Sequence, residues 1–464
     1  MSGLRLFYFV LFGQAISVLG SSLTSFGVSI WILREYADSN LQTTFYSFTL
    51  LAATLPALIA GPFLGSLIDR WPRKLNLIGS QIGSMICTLV IAVLYWTEHL
   101  SVWSLLWILP FSSLCNLSLQ VGFTASVALV VSKDDLSRAS GSLGLMLGLV
   151  QLVSPLLAGI LMDQIGLELI FVVDLVTFLF GLLTLFMVTI PNPAHKPEGK
   201  ITAKALVQDL LEAFNYMKGK QGVLGGLFLF ALIWFNVSAV QTLFAPLVLS
   251  IGSATDLGLV QMFGGLGLMV GSIVMVAWKG PQRKMLAILG VAGLVSIGLV
   301  VVPIAQQIWL LCLGAFVILA IAPLANVSSQ VFWQKKIDPS FQGRVFSLRN
   351  TMMRAAQPVA FLVAGFLADG YFKPEMGEGQ SLATVFGPIW GVGESRGIAL
   401  MISVFGVASL IFVIAAFLRS SVRRADLNLP DFDEDETLTE PSEPTGHAGS
   451  GAKFSAQDDR ARHP

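Results

Sequence analysis

Twelve predominantly apolar stretches, each near the roughly 20 residues a helix needs to cross a hydrocarbon layer, are spaced along the chain between short polar connections. Six precede the middle: Phe7 to Leu33, Thr44 to Ile68, Leu75 to Trp96, Val102 to Val131, Ala139 to Met162 and Leu169 to Ile190. Six follow it: Val223 to Leu249, Leu257 to Trp278, Met285 to Ile304, Ile308 to Trp333, Val345 to Ala368 and Gly397 to Leu418. Ten of the twelve contain no Asp, Glu, Lys or Arg, which core helices of a soluble protein do not explain. The first stretch is too long for a signal-peptide core and has no A-x-A cleavage site, so it is expected to remain as a span.

The connections predict an all-α integral membrane protein in four parts: a six-helix bundle over 1–190, a polar connector over 191–222, a second six-helix bundle over 223–420 and a tail over 421–464. In the connector, Leu206, Leu210, Phe214 and Met217 share a helical face, with Asp209 and Glu212 turned away. Such an amphipathic helix either lies on the membrane surface or packs on the protein. The tail is acidic and rich in Pro, Ser, Thr and Gly, the composition of a disordered segment. Cytoplasmic flanks carry an excess of Lys and Arg. With the N-terminus inside, the inner flanks hold 22 basic residues and the outer loops three, Arg34, Lys373 and Arg396. Both termini are therefore expected in the cytoplasm, with the protein in the cell membrane.

Composition agrees: 55% of the 464 residues are apolar and 12% charged, about half the roughly 25% charged residues of a globular domain. The 28 basic and 28 acidic residues cancel, which rules out a simple basic nucleic-acid binder. That zero is a sum of +7 over residues 1–425 and −7 over 426–464. Cys87, Cys115 and Cys312 sit in apolar segments without Cys or His neighbours and read as buried thiols. The four histidines lie in loops or the tail, so no metal site is expected, and no phosphate-binding, zinc-protease or nucleophile-elbow motif occurs. No cofactor is expected, and an active pump on this chain has to draw on an ion gradient.

Self-comparison adds a repeat. Leu156-Leu157-Ala158-Gly159-Ile160-Leu161-Met162-Asp163 ends the fifth span, and Leu362-Val363-Ala364-Gly365-Phe366-Leu367-Ala368-Asp369 ends the eleventh. The pattern L-x-A-G-x-L-x-D thus recurs at an offset of 206, and Arg138 maps onto Arg344 at the same offset. Two duplicated bundles with a midplane site between them are expected from such a repeat.

Between spans 2 and 3 lies Gly61-Pro62-Phe63-Leu64-Gly65-Ser66-Leu67-Ile68-Asp69-Arg70-Trp71-Pro72-Arg73-Lys74. Physically it is a positive-inside loop, Gly65 allowing close helix approach and Arg70, Arg73 and Lys74 facing anionic lipid. Its pattern G-x-x-x-D-R-x-x-R-K resembles the signature of the major facilitator superfamily, with Pro72 where Gly is usual. Gln14 to Ser21, Phe171 to Asp174 and Gln342 to Ser347 are similar to the branch containing macrolide-efflux proteins and siderophore exporters. Gly141 and Ser154-Pro155-Leu156-Leu157-Ala158-Gly159 resemble that superfamily's exporter motif, with Ser154 and Ala158 where Gly is usual. The resemblance implies a secondary transporter, working as a monomer, that exports a bulky amphiphilic small molecule by alternating access in exchange for protons. It also implies that Asp69 holds the inner side closed by meeting the start of span 11, near Arg344 or Arg349.

Other polar residues inside spans complete the candidates. Asp174, two turns into span 6, either carries protons or is satisfied locally near the positive helix end. Arg349 either snorkels or meets Asp69, and Arg354, deeper, either snorkels or meets an anionic substrate or a carboxylate. The resemblance implies a central cavity lined by spans 1, 4, 7 and 10, which makes Gln14, Ser17 and Ser21 in span 1, Asn116 and Gln120 in span 4, Trp234, Asn236 and Gln241 in span 7, and Asn326 and Gln330 in span 10 the expected lining. An uptake permease or lysolipid mover on the same fold, and an intramembrane enzyme or receptor, stand as the rival readings.

Overall fold

The computed structural model describes residues 3–68, 71–189, 203–218, 223–278, 280–428 and 431. Among them the regular elements are all helical, and twelve helices are long and apolar enough to cross a membrane. The first six spanning helices are α1 (Gly3–Glu35), α2 (Gln42–Ile68), α3 (Arg73–Trp96), α4 (Val102–Val130), α5 (Leu136–Gln164) and α6 (Leu167–Phe186). After the connector helix α7 (Ala203–Lys218) come α8 (Val223–Leu249), α9 (Ala254–Ala277), α10 (Lys284–Val301), α11 (Ile308–Lys336) and α12 (Pro339–Leu367). A short apolar helix, α13 (Ser381–Trp390), precedes the last span, α14 (Glu394–Leu418). Twelve crossings bring the chain ends to one end of the bundle, the terminal end; the opposite one is the far end.

Hydrocarbon offers little drive for helices to associate, so close backbone approach through small residues does much of the packing. Gly13, Gly20 and Gly27 of α1 lie every seven residues along α6, against Thr184, Thr177 and Ile170, where added Cβ atoms would crowd those side chains. Gly267 and Gly271 of α9 bring that helix onto the carbonyls of Phe316 and Ala320 in α11. Within the first half α1 packs on α5 and α6, and α4 on α2 and α3; within the second, α8 packs on α12 and α14, and α11 on α9 and α10. Contact between the halves runs along α5/α9 and α2/α12, pairs that exchange under the sequence repeat.

The connector helix packs on the protein. Ala213 and Met217 are fully buried, in one apolar cluster with Leu227, Met285, Phe332, Trp333 and Val345. Tyr216 stacks on Phe341 with ring centroids 4.4 Å apart. The side chains of Leu206 and Asp209 lie outside the described residues. The first part of the expected disordered tail is also docked: Val422 and Ala425 are buried, and Asp426 accepts the amide of Met285 at 2.7 Å. Burial pushes the Asp426 carboxyl above its usual range despite that bond and the nearby Lys336 and Lys284. Lys336 donates to the Asp426 carbonyl at 2.6 Å and pairs with Asp431 at 2.6 Å. Residues 432–464 lie outside the described residues.

Candidate functional site

A cavity of about 1170 Å³ lies between the halves, large for a small-molecule site, where about 300–1,000 Å³ is common. Four of the expected lining residues face it: Ser17, Ser21, Asn116 and Gln241. Ser22, Ser25 and Ser29 extend the α1 wall, and α5 and α9 add Gln151 and Gln261. Those two glutamines were legible as lone amides in otherwise apolar spans. Spans 5 and 8, rather than 4 and 10, thus supply much of the wall beside spans 1 and 7. The remaining expected residues do not line the cavity. Gln14 is buried, Asn236 is buried and donates to the carbonyl of Leu232, and Trp234 is half-buried. Gln120, Asn326 and Gln330 are exposed outside it.

Asp174 is fully buried behind the α1 wall. Its carboxylate accepts from Ser21 at 3.3 Å and from Thr88 at 3.1 Å. The helix entry of α6 leaves it two turns from the N-terminus, so hydroxyls of α1 and α3, rather than free amides, satisfy it. Ser21 touches both this carboxylate and the cavity.

The far end is closed by two seams. At α5/α9, a Cβ on Gly159 would overlap the carbonyl oxygen of Ala254, and one on Gly258 the carbonyl oxygen of Pro155. At α2/α12, a Cβ on Gly365 would overlap the hydroxyl of Ser47. The repeat's two aspartates cap the partner helix at each seam. Asp163 accepts from the amides of Thr255 at 2.7 Å and Ala254 at 3.4 Å, and from the Thr255 hydroxyl at 2.8 Å. Asp369 accepts from the amide of Thr44 at 2.6 Å. Each has one cation, Arg34 at 2.7 Å from Asp163 and Lys373 at 2.9 Å from Asp369. Two of the three basic residues expected on the outer side are therefore latch partners. An apolar cluster holding Trp31, Leu105 and Phe171 with Val248, Ala254 and Leu311 seals the same end across both halves.

Among the described residues, the hydrogen bonds that join α1–α6 to α8–α14 all lie at this far end. Toward the terminal end the halves part: nothing lies within 4 Å of a Cβ placed on Gly141, Gly144 or Gly148 of α5. Of the exporter-like residues, Ser154 and Pro155 line the cavity and Gly159 makes the seam, while Gly141 faces open space.

The loop after α2 differs from an anchor on lipid. Arg73 is buried, and Lys74 donates to the carbonyl of Phe186 at 3.0 Å, capping the last turn of α6. Arg344 pairs with Glu212 of α7 at 3.6 Å. Arg349 does not snorkel; it is buried over the Phe230 ring, 5.5 Å from its centroid, and reaches Gln330 at 3.5 Å. Arg354 is exposed and does not line the cavity. Asp69, Arg70 and the surroundings of Gly65 lie outside the described residues.

Twelve spans in two halves, a cavity between them and one closed end are the architecture of a membrane transporter. The family model described as Major Facilitator Superfamily matches residues 10–361, and the chain belongs to that superfamily. It is a multi-pass membrane transporter of small molecules and not an enzyme. Macrolide efflux protein A of Streptococcus pyogenes is 23% identical over 369 residues, covering 78% of this chain and 89% of that protein. Multidrug resistance protein MdtG of Proteus mirabilis is 24% identical over 384 residues, again 78% and 89%. In fold the chain is similar to an auto-inhibited peptide transporter of the POT family, with TM-score 0.62 and 14% identity over 90% of this chain and 97% of that one. It is likewise similar to an inward-facing, unoccupied bacterial homologue of the human lysosomal transporter Spinster, with TM-score 0.60 and 13% identity over 90% and 97%.

Proposed function

We propose that this protein is a proton-coupled exporter of a bulky amphiphilic small molecule, working by alternating access in the cell membrane with both termini in the cytoplasm. The observation that carries the proposal is the shared serine: Ser21 lines the cavity and donates to the buried Asp174. A substrate that donates to the Ser21 oxygen polarises the hydroxyl whose proton Asp174 accepts, linking occupancy of the cavity to protonation of the carboxyl. A buried acid in a span is costly, and ionisable residues there mark proton or substrate pathways by default. The names of the macrolide-efflux and multidrug-resistance relatives support export over uptake. The excess of basic residues at the terminal end supports the orientation.

In this cycle the two seams form the outer gate, and the loop through Gly65, Asp69, Arg70, Arg73 and Lys74 forms the inner one, Asp69 engaging the start of α12. The described state is then open toward the cytoplasm. Flux in proteoliposomes under an imposed pH gradient tests the proposal. Wild type is expected to move substrate against the direction of proton entry. Asp174→Asn is expected to lose gradient-driven flux and keep passive substrate exchange. Gradient-driven flux that survives in Asp174→Asn at wild-type rate rejects the coupling role, and flux in the direction of proton entry rejects export.

A further inference from the structure

We infer that the cavity takes an amphiphile that is uncharged when bound and carries hydrogen-bond donors such as hydroxyls along one edge. This rests on the cavity being the substrate site. Among the described lining residues there is no Asp, Glu, Lys, Arg or His. Of the ionisable groups within the spans, Asp174 lies behind the wall with Ser21 and Thr88 on its oxygens, Arg349 is stacked on Phe230, and Arg354 is exposed outside the cavity. A charge enclosed during the transport cycle would be stripped of water with no counter-charge in contact, and such burial is costly.

The polar part of the wall is directional. Ser21 gives its proton to Asp174, Ser22 to the carbonyl of Val18, and Ser25 to the carbonyl of Ser21. With those protons committed, the hydroxyls offer oxygen lone pairs to a ligand. A run of acceptors one to four residues apart along α1 suits several donors on one face of a rigid molecule. Gln151, Gln241 and Gln261 supply amides that both donate and accept. Another part of the wall is apolar, with Leu145 and Leu149 of α5 and Leu268 and Met269 of α9 in the lining. A hydroxylated edge with an apolar back fits both walls, whereas an organic ion fits neither.

The test uses two dyes that share the benzophenoxazine ring, uncharged Nile red and cationic Nile blue, titrated at pH 7 against the full-length protein in lipid nanodiscs with empty discs subtracted. Nile red is expected to bind saturably, and Nile blue at least tenfold more weakly. Gln241→Glu, which puts a carboxylate on the wall, is expected to tighten Nile blue at least fivefold while leaving the melting temperature near wild type. Gln261→Glu repeats the test from α9 should the first variant fold poorly. Ser22→Ala with Ser25→Ala, which strips the acceptors, is expected to weaken displacement of Nile red by a neutral alkyl maltoside severalfold. Nile blue binding within threefold of Nile red in wild type overturns the inference while leaving the cavity as the substrate site. Absence of saturable Nile red binding removes the cavity as an amphiphile site and the inference with it.

Discussion

The seams α5/α9 and α2/α12 are the same junction twice, related by the repeat, yet they close the far end by different means. At α5/α9 two glycines interlock reciprocally, Gly159 on the backbone of Ala254 and Gly258 on the backbone of Pro155. At α2/α12 a single glycine, Gly365, meets chiefly the side chain of Ser47. The charges show the reverse order. Asp163 and Arg34 are 22% and 46% exposed, while Asp369 and Lys373 are 1% and 10% exposed. One seam depends on backbone fit with a solvated ion pair, the other on a buried ion pair with looser backbone fit. Duplication preserved the aspartate as a cap on the partner helix, where its charge meets the free amides of the first turn. What surrounds that charge has diverged.

The largest effect is expected at the buried pair. Asp369→Asn leaves Lys373 buried with only Gln42, 3.0 Å away, as an acceptor beside the new amide. Removing one partner of a buried pair costs about 3–5 kcal/mol. The variant is therefore expected to melt well below wild type. A single cysteine at Gln261, in a background lacking the three native cysteines, is expected to become reactive toward a membrane-impermeant maleimide from the far side. Adding Lys373→Met is expected to recover most of the loss, since the uncompensated charge is then gone. If Asp369→Asn is no more damaging than Asp163→Asn, burial does not distinguish the seams.

A smaller effect, with the seams in the opposite order, is expected for the glycines. A methyl group at Gly159 meets a backbone carbonyl oxygen as its closest atom, whereas at Gly365 the closest atom is the Ser47 hydroxyl and the closest backbone atom, Thr44 Cα, is 3.0 Å away. Overpacking of this kind costs about 1–3 kcal/mol. Gly159→Ala is expected at the upper part of that range and Gly365→Ala below it, read as melting temperature and as far-side labelling of the same cysteine. Equal losses at both positions would mean that the seams fit alike and that only their charges differ.

Much of this was legible in the sequence, and the limits have physical causes. Span positions follow from hydropathy because the bilayer imposes a length. The L-x-A-G-x-L-x-D repeat located one glycine of each seam and both caps, because each must lie at the same depth of equivalent helices. Their partners were not legible. Asp369 meets Thr44 across 325 residues and Asp163 meets Thr255 across 92, with no local pattern at the receiving end, since any first-turn amide serves. Basic residues of the loop after α2 looked like lipid anchors because positive charge at that depth usually is, whereas Lys74 caps α6 instead. The superfamily resemblance points to spans 1, 4, 7 and 10 for the cavity, and their amides agree with it. The present state draws also on α5 and α9, each of which shows a single amide, Gln151 and Gln261, among mostly small and apolar lining residues.

The smallest expected effect separates the seams by salt. Arg34 is nearly half exposed, so its pair with Asp163 is expected to contribute about 0.2–1 kcal/mol and to be screened. The Debye length falls from about 10 Å at 0.1 M to about 3 Å at 1 M. Arg34→Ala is therefore expected to lower the melting temperature slightly at low ionic strength and not at all near 1 M salt. The capping bonds from Thr255 persist in that variant, because they need only the carboxylate. Lys373→Ala is expected to cost more and to keep its cost across the same salt range, since little water or salt reaches a carboxylate 1% exposed. A salt-independent loss at Arg34 would show that this pair is shielded in the membrane as its counterpart is. Chemical asymmetry between the seams would then reduce to the glycines alone.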